Sequence, residues 1–349
     1  MIPHRSTILR AAAVTLAVAA IFMPKTAFGQ NMPPMSHRLA PWPGIEPGPY
    51  GVGSIVVEVT DSSAVLSMTK AKQPARRART VPVRSWYPVE AGKHPLVVFA
   101  GGTGKSIEAN KALWKHLASY GYVVAAIPSL ATDDGADEAS LPKNAASLAT
   151  LTGDLGVVLG KFSDRDNVDA SRIAAVGFSF GGGAALVLAS RDPRVRAVVG
   201  FDPSFVVRDH VAMLRRSSFF KARRVTVPIL EFHSADQSAL DLSLMESTHG
   251  SPRVSIELKG LDHSDFAAQS LTYGPYLRNV STYMPAGSTK SEAYGAMVET
   301  TRLFLDQALA IYPEYSELEP MLALRGIGEV WSRVPRSMIV VREWRDSSF

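Results

Sequence analysis

Along this chain the apolar residues gather into short runs, some of a length that suits a buried strand and some that suits a helix, with polar, glycine- or proline-bearing stretches between them. Residues 54–60 and 80–86 predict strands. Residues 95–100, PLVVFA, carry no polar side chain on either face, which predicts a strand covered on both sides. A helix over 107–120, a strand over 122–127 and a helix over 145–162 follow. A buried strand at 173–176, an Ala- and Leu-rich helix through 184–189 and a strand at 194–201 come next. Residues 227–233 and 253–258 are expected to be the last two strands, and 290–311 a long amphipathic helix that closes the domain. Strands alternating with helices at this spacing predict an α/β fold, a mostly parallel central sheet with helices on both faces.

Departures from that alternation mark the remaining organisation. Residues 30–50 hold Pro33, Pro34, Pro41, Pro43, Pro47 and Pro49 and can form neither a helix nor a central strand. Lys70, Lys72, Arg76, Arg77 and Arg79 crowd a stretch expected to be a solvated hairpin loop. Residues 204–226 mix apolar positions with Arg208, Arg215, Arg216, Lys221, Arg223 and Arg224. They are expected to make a lid-like excursion, helical in part, whose basic face is either simply solvated or meets anionic or amphiphilic ligands. The main domain is therefore placed at 51–312, with 313–349 as a C-terminal extension.

The start of the chain changes the meaning of its charge. His4, Arg5 and Arg10 lead into a 13-residue apolar run, Ala11 to Met23, and Ala27-Phe28-Gly29 offers small residues at the two positions a signal peptidase reads. Residues 1–29 are expected to be a cleaved signal peptide, and the protein periplasmic or secreted, because the run is short for a bilayer span. Without Arg5, Arg10 and Lys25, 34 basic residues face 32 acidic ones, so the formal charge of +5 gives no reason to expect a nucleic-acid partner. The chain has no Cys, which excludes disulfides, thiolate catalysis and Cys-based metal sites. Of its 349 residues 46% are hydrophobic, enough for a large core without such cross-links.

Candidate chemistry centres on Gly177-Phe178-Ser179-Phe180-Gly181, between a predicted strand and a predicted helix. A sharp strand-to-helix turn strains its middle residue and needs glycine on either side for the backbones to pass; the turn lifts the Ser179 hydroxyl clear of the sheet. This is the G-x-S-x-G pattern of a nucleophile elbow. A second glycine-rich turn, Gly101-Gly102-Thr103-Gly104-Lys105-Ser106, ends in G-K-S as a phosphate-binding loop does. That loop needs a glycine five residues before Gly104, where this chain has Phe99. The same turn, after the third main strand, can instead supply a backbone N–H to an oxyanion, with Thr103 and Phe180 as the two expected donors. Asp202 ends the strand after the elbow and reaches the rim where ligands bind in such sheets. Among the eight His residues only His263 follows the strand expected to be last, where the order Ser, Asp, His places the base.

VDASRIAAVGFSFGGGAAL, the acid in AVVGFDP and the LDHSDF segment resemble the platelet-activating-factor acetylhydrolase and dienelactone-hydrolase-like branch of the α/β-hydrolases. GPYGVGSIVVEVTD and VPVRSWYP resemble the opening strands of that branch and of bacterial cutinase-like polyester hydrolases. The similarity runs over about residues 46–312 and implies an α/β-hydrolase fold acting on carboxylic esters, small or lipid-like, with no metal or organic cofactor. Many α/β-hydrolases carry the acid after the seventh strand, which here is Asp236. Platelet-activating-factor acetylhydrolases and chlorophyllases carry it after the sixth, and this favours Asp202. The chain departs from the branch in having Phe178 where a His often precedes the nucleophile, and Ala100-Gly101-Gly102 in place of a His-Gly pair. The catalytic set expected from this is Ser179, His263 and Asp202. The same residues would also serve an acyltransferase, and a binding protein could keep the fold without turnover.

Overall fold

The computed structural model describes residues 45–61, 65–68, 74–76, 79–103, 110–128, 145–235, 239–248, 252–267, 288–311 and 330–344. The expected signal peptide at 1–29, most of the proline-rich segment, Asp236 and residues 313–329 and 345–349 of the extension lie outside these residues. Strand β1 (Val52–Asp61) is followed by β2 (Val65–Met68) and β3 (Pro74–Arg76), which pair with each other in a separate two-stranded sheet, and then by β4 (Arg79–Pro88). Strands and helices then alternate as β5 (His94–Ala100), α1 (Lys111–Ser119), β6 (Val123–Ile127), α2 (Ala145–Ser163), β7 (Val168–Phe178) and α3 (Phe180–Ala189). The series continues through β8 (Val195–Phe201), α4 (Arg208–Arg216), β9 (Ile229–Ser234), α5 (Ser243–Ser247), β10 (Arg253–Leu258), α6 (Thr289–Ala308) and β11 (Ile339–Trp344).

The large sheet has nine strands in the order β1-β4-β6-β5-β7-β8-β9-β10-β11. Every pairing from β6 across to β10 is parallel, while β1, β4 and β11 run antiparallel to their neighbours. After β5 the chain passes to β6 on one side and returns through α2 to β7 on the other. In open α/β sheets ligands bind at such a reversal, beyond the C-terminal ends of the strands, and the chain leaves β5, β7, β8 and β10 at that edge.

Side-chain alternation explains the two layers on the sheet. All of β5 is buried; Val97 and Phe99 join the core shared with α1 and α6, whereas Leu96, Val98 and Ala100 join the core shared with α2 and α3. Polar contacts fasten α6 to its neighbours. Its Asp306 accepts from Tyr122 Oη at 2.6 Å, and its Glu299 meets His116 Nε2 at 2.8 Å. The segment over 204–226 is anchored in the second layer by Phe205, Val206, Val211, Leu214, Phe220 and Val225, all nearly without exposure.

Two expectations are corrected. Arg253–Leu258 is not the last strand, because β11 lies along its open edge with Ile256 opposite Val341. Residues 338–341 bring an apolar run to backbone groups that β10 would otherwise leave unpaired. The basic stretch at 70–79 is not a plain solvated loop either. It contains β3, and Arg79 is the first residue of β4, buried in a bidentate pair with Asp154 of α2 at 2.8 and 2.9 Å. A carboxylate on the inner face of α2 turns one of the five charges inward, and the charge run itself does not reveal this.

Candidate active site

Ser179 stands between β7 and α3 with φ 53° and ψ −121°, in the left-handed region that strains any residue with a Cβ. Its neighbours make the turn possible. A Cβ on Gly177 would lie 2.2 Å from the Gly181 carbonyl oxygen, and one on Gly181 would lie 2.1 Å from that of Ala100. The strained residue is tied to the next strand's loop on both sides: its N–H donates to Phe201 O at 3.0 Å, and its carbonyl accepts from Ser204 N at 2.8 Å.

Asp202 follows β8 directly. It too has a positive φ, 41°, and is 1% exposed, with its N–H donating to Phe232 O at 2.6 Å. His263 lies in the turn after β10. Its Nδ1 is 2.6 Å from Asp202 Oδ2 and its Nε2 is 3.0 Å from Ser179 Oγ. The three residues expected from sequence thus come together in one chain of hydrogen bonds, although 61 residues separate Asp202 from His263 and 84 separate Ser179 from it. Asp236, the alternative acid, lies outside the described residues; the carboxylate at Nδ1 is that of Asp202.

The turn that delivers His263 is braced locally. Ser264 donates from its N–H and its hydroxyl to Asp262 Oδ1 at 3.0 and 2.7 Å, Asp262 N donates to Asp265 Oδ2 at 2.9 Å, and Lys290 of α6 reaches that same oxygen at 2.6 Å. Burial alone would raise the Asp262 carboxyl, but the Ser264 hydrogen bonds and the Lys290 charge hold it below its ordinary value. One face of the imidazole rests on Phe178, ring centroids 4.8 Å apart and planes at 29°, and about half of the His263 side chain stays exposed.

The Gly101–Thr103 turn lies against the elbow. A Cβ on Gly102 would fall 2.6 Å from the Phe178 ring and 2.8 Å from Ser179 Cβ, so only a bare backbone can approach so closely. Thr103 follows, partly buried, with an Oγ1 that meets no partner among the described residues. Phe180 opens α3, where backbone N–H groups of the first turn lack intrahelical acceptors. Among the described residues no group of His, Asp and Glu side chains is placed to hold a metal ion.

Sequence reasoning missed what stands behind Asp202. Ser234, the last residue of β9, donates from its N–H to Asp202 Oδ1 at 3.0 Å, and its hydroxyl lies 3.3 Å from Oδ2. Two residues earlier, Glu231 and His233 pair with each other at 3.0 Å, both without exposure. The available signal was a polar Glu-x-His-Ser sequence inside a strand otherwise as apolar as its neighbours.

Residues 80–272 match the family described as PETase, PET hydrolase-like, and that is more than half of the chain. The chain belongs to the PET hydrolase-like family. Its family segment includes the elbow, Asp202 and His263. This PET hydrolase-like chain is 33% identical over 118 residues to cutinase est1 of Thermobifida alba, covering 34% of the chain and 38% of that cutinase. It is 31% identical over 120 residues to cutinase 1 of Thermobifida cellulosilytica, covering 34% of the chain and 43% of the relative. The aligned stretch therefore spans less than half the length of these cutinases. A solved structure, a ferulic acid esterase from Streptomyces cinnamoneus, superposes with a TM-score of 0.57 at 18% identity over 77% of this chain and 93% of that one. That likeness speaks to the fold, an α/β-hydrolase fold. Within the resemblance drawn from sequence, these matches fall on the side of the cutinase-like polyester hydrolases.

Proposed function

We propose that the protein is an exported serine hydrolase of carboxylic esters. One observation carries the reading: Ser179 Oγ, His263 and Asp202 form a continuous hydrogen-bonded chain at 3.0 and 2.6 Å, on a strained turn at the C-terminal ends of the strands. In this reading His263 Nε2 takes the Ser179 proton as Oγ attacks the ester carbonyl carbon. Asp202 holds the proton on Nδ1 and stabilises the imidazolium. The C–O bond to the alcohol then breaks, and His263 returns the proton to the departing oxygen. Water, deprotonated by the same imidazole, releases the acid from the acyl-enzyme.

The tetrahedral oxyanion is held by the N–H groups of Thr103 and Phe180, each donor contributing about 3 kcal/mol in comparable sites. This chemistry requires no metal or organic cofactor. Relatives named as cutinases and a structural neighbour named as a ferulic acid esterase support esters, small or lipid-like, as the substrate class. Export rests on the basic lead and apolar run within residues 1–29; no helix among the described residues is long and apolar enough to cross a membrane. Hydrolysis of a 4-nitrophenyl ester series tests the reading. Ser179→Ala is expected to lower kcat by about three orders of magnitude or more with the protein still folded; a variant as active as wild type would refute it.

A further inference from the structure

A buried carboxylate must find in protein what water would have supplied, and Ser234 supplies Asp202 with two donors. The Asp202 side chain is 1% exposed, so every lone pair that lacks a donor is a cost. His263 takes one position on Oδ2. The Ser234 N–H takes Oδ1 at 3.0 Å, and the Ser234 hydroxyl sits between the two oxygens, 3.4 Å from Oδ1 and 3.3 Å from Oδ2. The N–H on Oδ1 leaves Oδ2 turned toward the imidazole, with the hydroxyl bridging the two oxygens. That division fixes the His263 tautomer, with its proton on Nδ1 and its lone pair on Nε2 facing Ser179.

The backbone of Asp202 does not hold this orientation by itself. Its φ of 41° is a strained conformation for a residue with a Cβ, and it persists only where neighbours impose it. β9 imposes it twice, through the Phe232 carbonyl on the Asp202 N–H and through Ser234 on the carboxylate. The strand end is itself fixed. Phe201 pairs with Phe232 across the parallel ladder, and Leu258 of β10 pairs with Ser234.

His233, between Phe232 and Ser234, is locked by Glu231 at 3.0 Å, with Ser255 Oγ of β10 at 3.4 Å. Burial would lower the His233 imidazole, but the hydrogen bond and charge of Glu231, with Asp202 and Glu257 beyond, raise it instead. Arg342 of β11 lies 3.7 Å from Glu257. Glu231 thus directs its carboxylate at His233, its hydrogen-bond partner.

We infer that the Ser234 side chain is a positioning group for Asp202, its hydroxyl bridging the carboxylate so that Oδ2 is presented to His263; this rests on the ester-hydrolase reading above. The test uses the full chain with 4-nitrophenyl butyrate, comparing wild type, Ser234→Ala and Ser234→Thr. Ser234→Ala is expected to lower kcat about tenfold with KM within about twofold, because a misoriented base slows chemistry without touching the substrate. Ser234→Thr keeps the hydroxyl and is expected to return kcat to within about threefold of wild type.

A second readout does not need turnover: the downfield proton resonance of His263 Nδ1–H, assigned by its loss in His263→Ala, is expected to shift in Ser234→Ala and to return in Ser234→Thr. A Ser234→Ala variant that is folded, keeps kcat and leaves that resonance unmoved would overturn the inference. If wild type shows no turnover that depends on Ser179, the hydrolase reading fails, and the resonance alone decides whether Ser234 orients Asp202.

Discussion

The ring of Phe178 stacks on the imidazole of His263, centroids 4.8 Å apart and planes at 29°, so the residue before Ser179 also walls the His263 ring. It is held there by an absence. The missing Cβ of Gly102 leaves the room that the Phe178 ring fills. Phe178 thus gives the His263 imidazole an apolar wall and not a second titrating ring.

Replacing Phe178 by Leu keeps an apolar side chain of similar bulk and removes the flat face. An aromatic stack contributes about 0.5–1.5 kcal/mol beyond its buried area, which corresponds to a loss of about two- to twelvefold in kcat if His263 turns out of line. Steady-state kinetics beside a thermal melt separate the two causes. Unchanged kcat in a folded variant would show that the stack does not orient the base.

Glycines divide sharply by what surrounds them. Gly181→Ala drives a methyl to 2.1 Å from the Ala100 carbonyl oxygen, and backbone cannot step aside as a side chain can. A loss of more than about 3 kcal/mol or failure to fold is expected. Gly153 is exposed on α2 with nothing within 4 Å of its missing Cβ, so Gly153→Ala is expected to stabilise by about 0.5–1 kcal/mol through helix propensity. Urea unfolding of the two variants is expected to move the midpoint in opposite directions.

The Arg79–Asp154 pair is buried on both sides, its side chains 8% and 5% exposed. Arg79→Met leaves a carboxylate desolvated without its guanidinium and is expected to cost about 3–5 kcal/mol. Arg79→Met with Asp154→Leu removes both charges and is expected to recover most of that loss. A double variant no more stable than the single one would mean that the two side chains are not coupled.

Glu299 gives α6 a pH dependence of definite sign. Burial would raise its carboxyl, but hydrogen bonds from His116 and Arg302 hold it down from 4.5 to about 2. A folded-state value below the unfolded one stabilises the fold above pH 4.5. That contribution is lost as pH falls from about 4.5 through about 2, and amounts to about 3 kcal/mol at most. Wild type is therefore expected to exceed Glu299→Gln in stability at pH 7, and the gap to close across that window. A gap that stays constant down to pH 2 would remove the ion pair from the explanation.

What the sequence made legible was local. The all-apolar run of β5 announced a strand covered on both faces, and the glycines around Ser179 marked the elbow because such turns need them within two residues. His263 could be singled out by its place after a parallel strand. The rest depends on partners far apart in the chain. Arg79 meets Asp154 across 75 residues, Ser234 meets Asp202 across 32, and β11 joins β10 only after α6 has intervened. Composition carries no mark of any of these, since a buried Arg and a solvated one are spelled alike.

The most direct measurement is the intact mass of the purified protein after reaction with a fluorophosphonate, with Ser179→Ala and His263→Ala alongside. An activated serine paired with its base gives one adduct on wild type and none on either variant. Well-folded wild type that takes no adduct, or an adduct that survives Ser179→Ala, would contradict the assignment of Ser179 as the nucleophile.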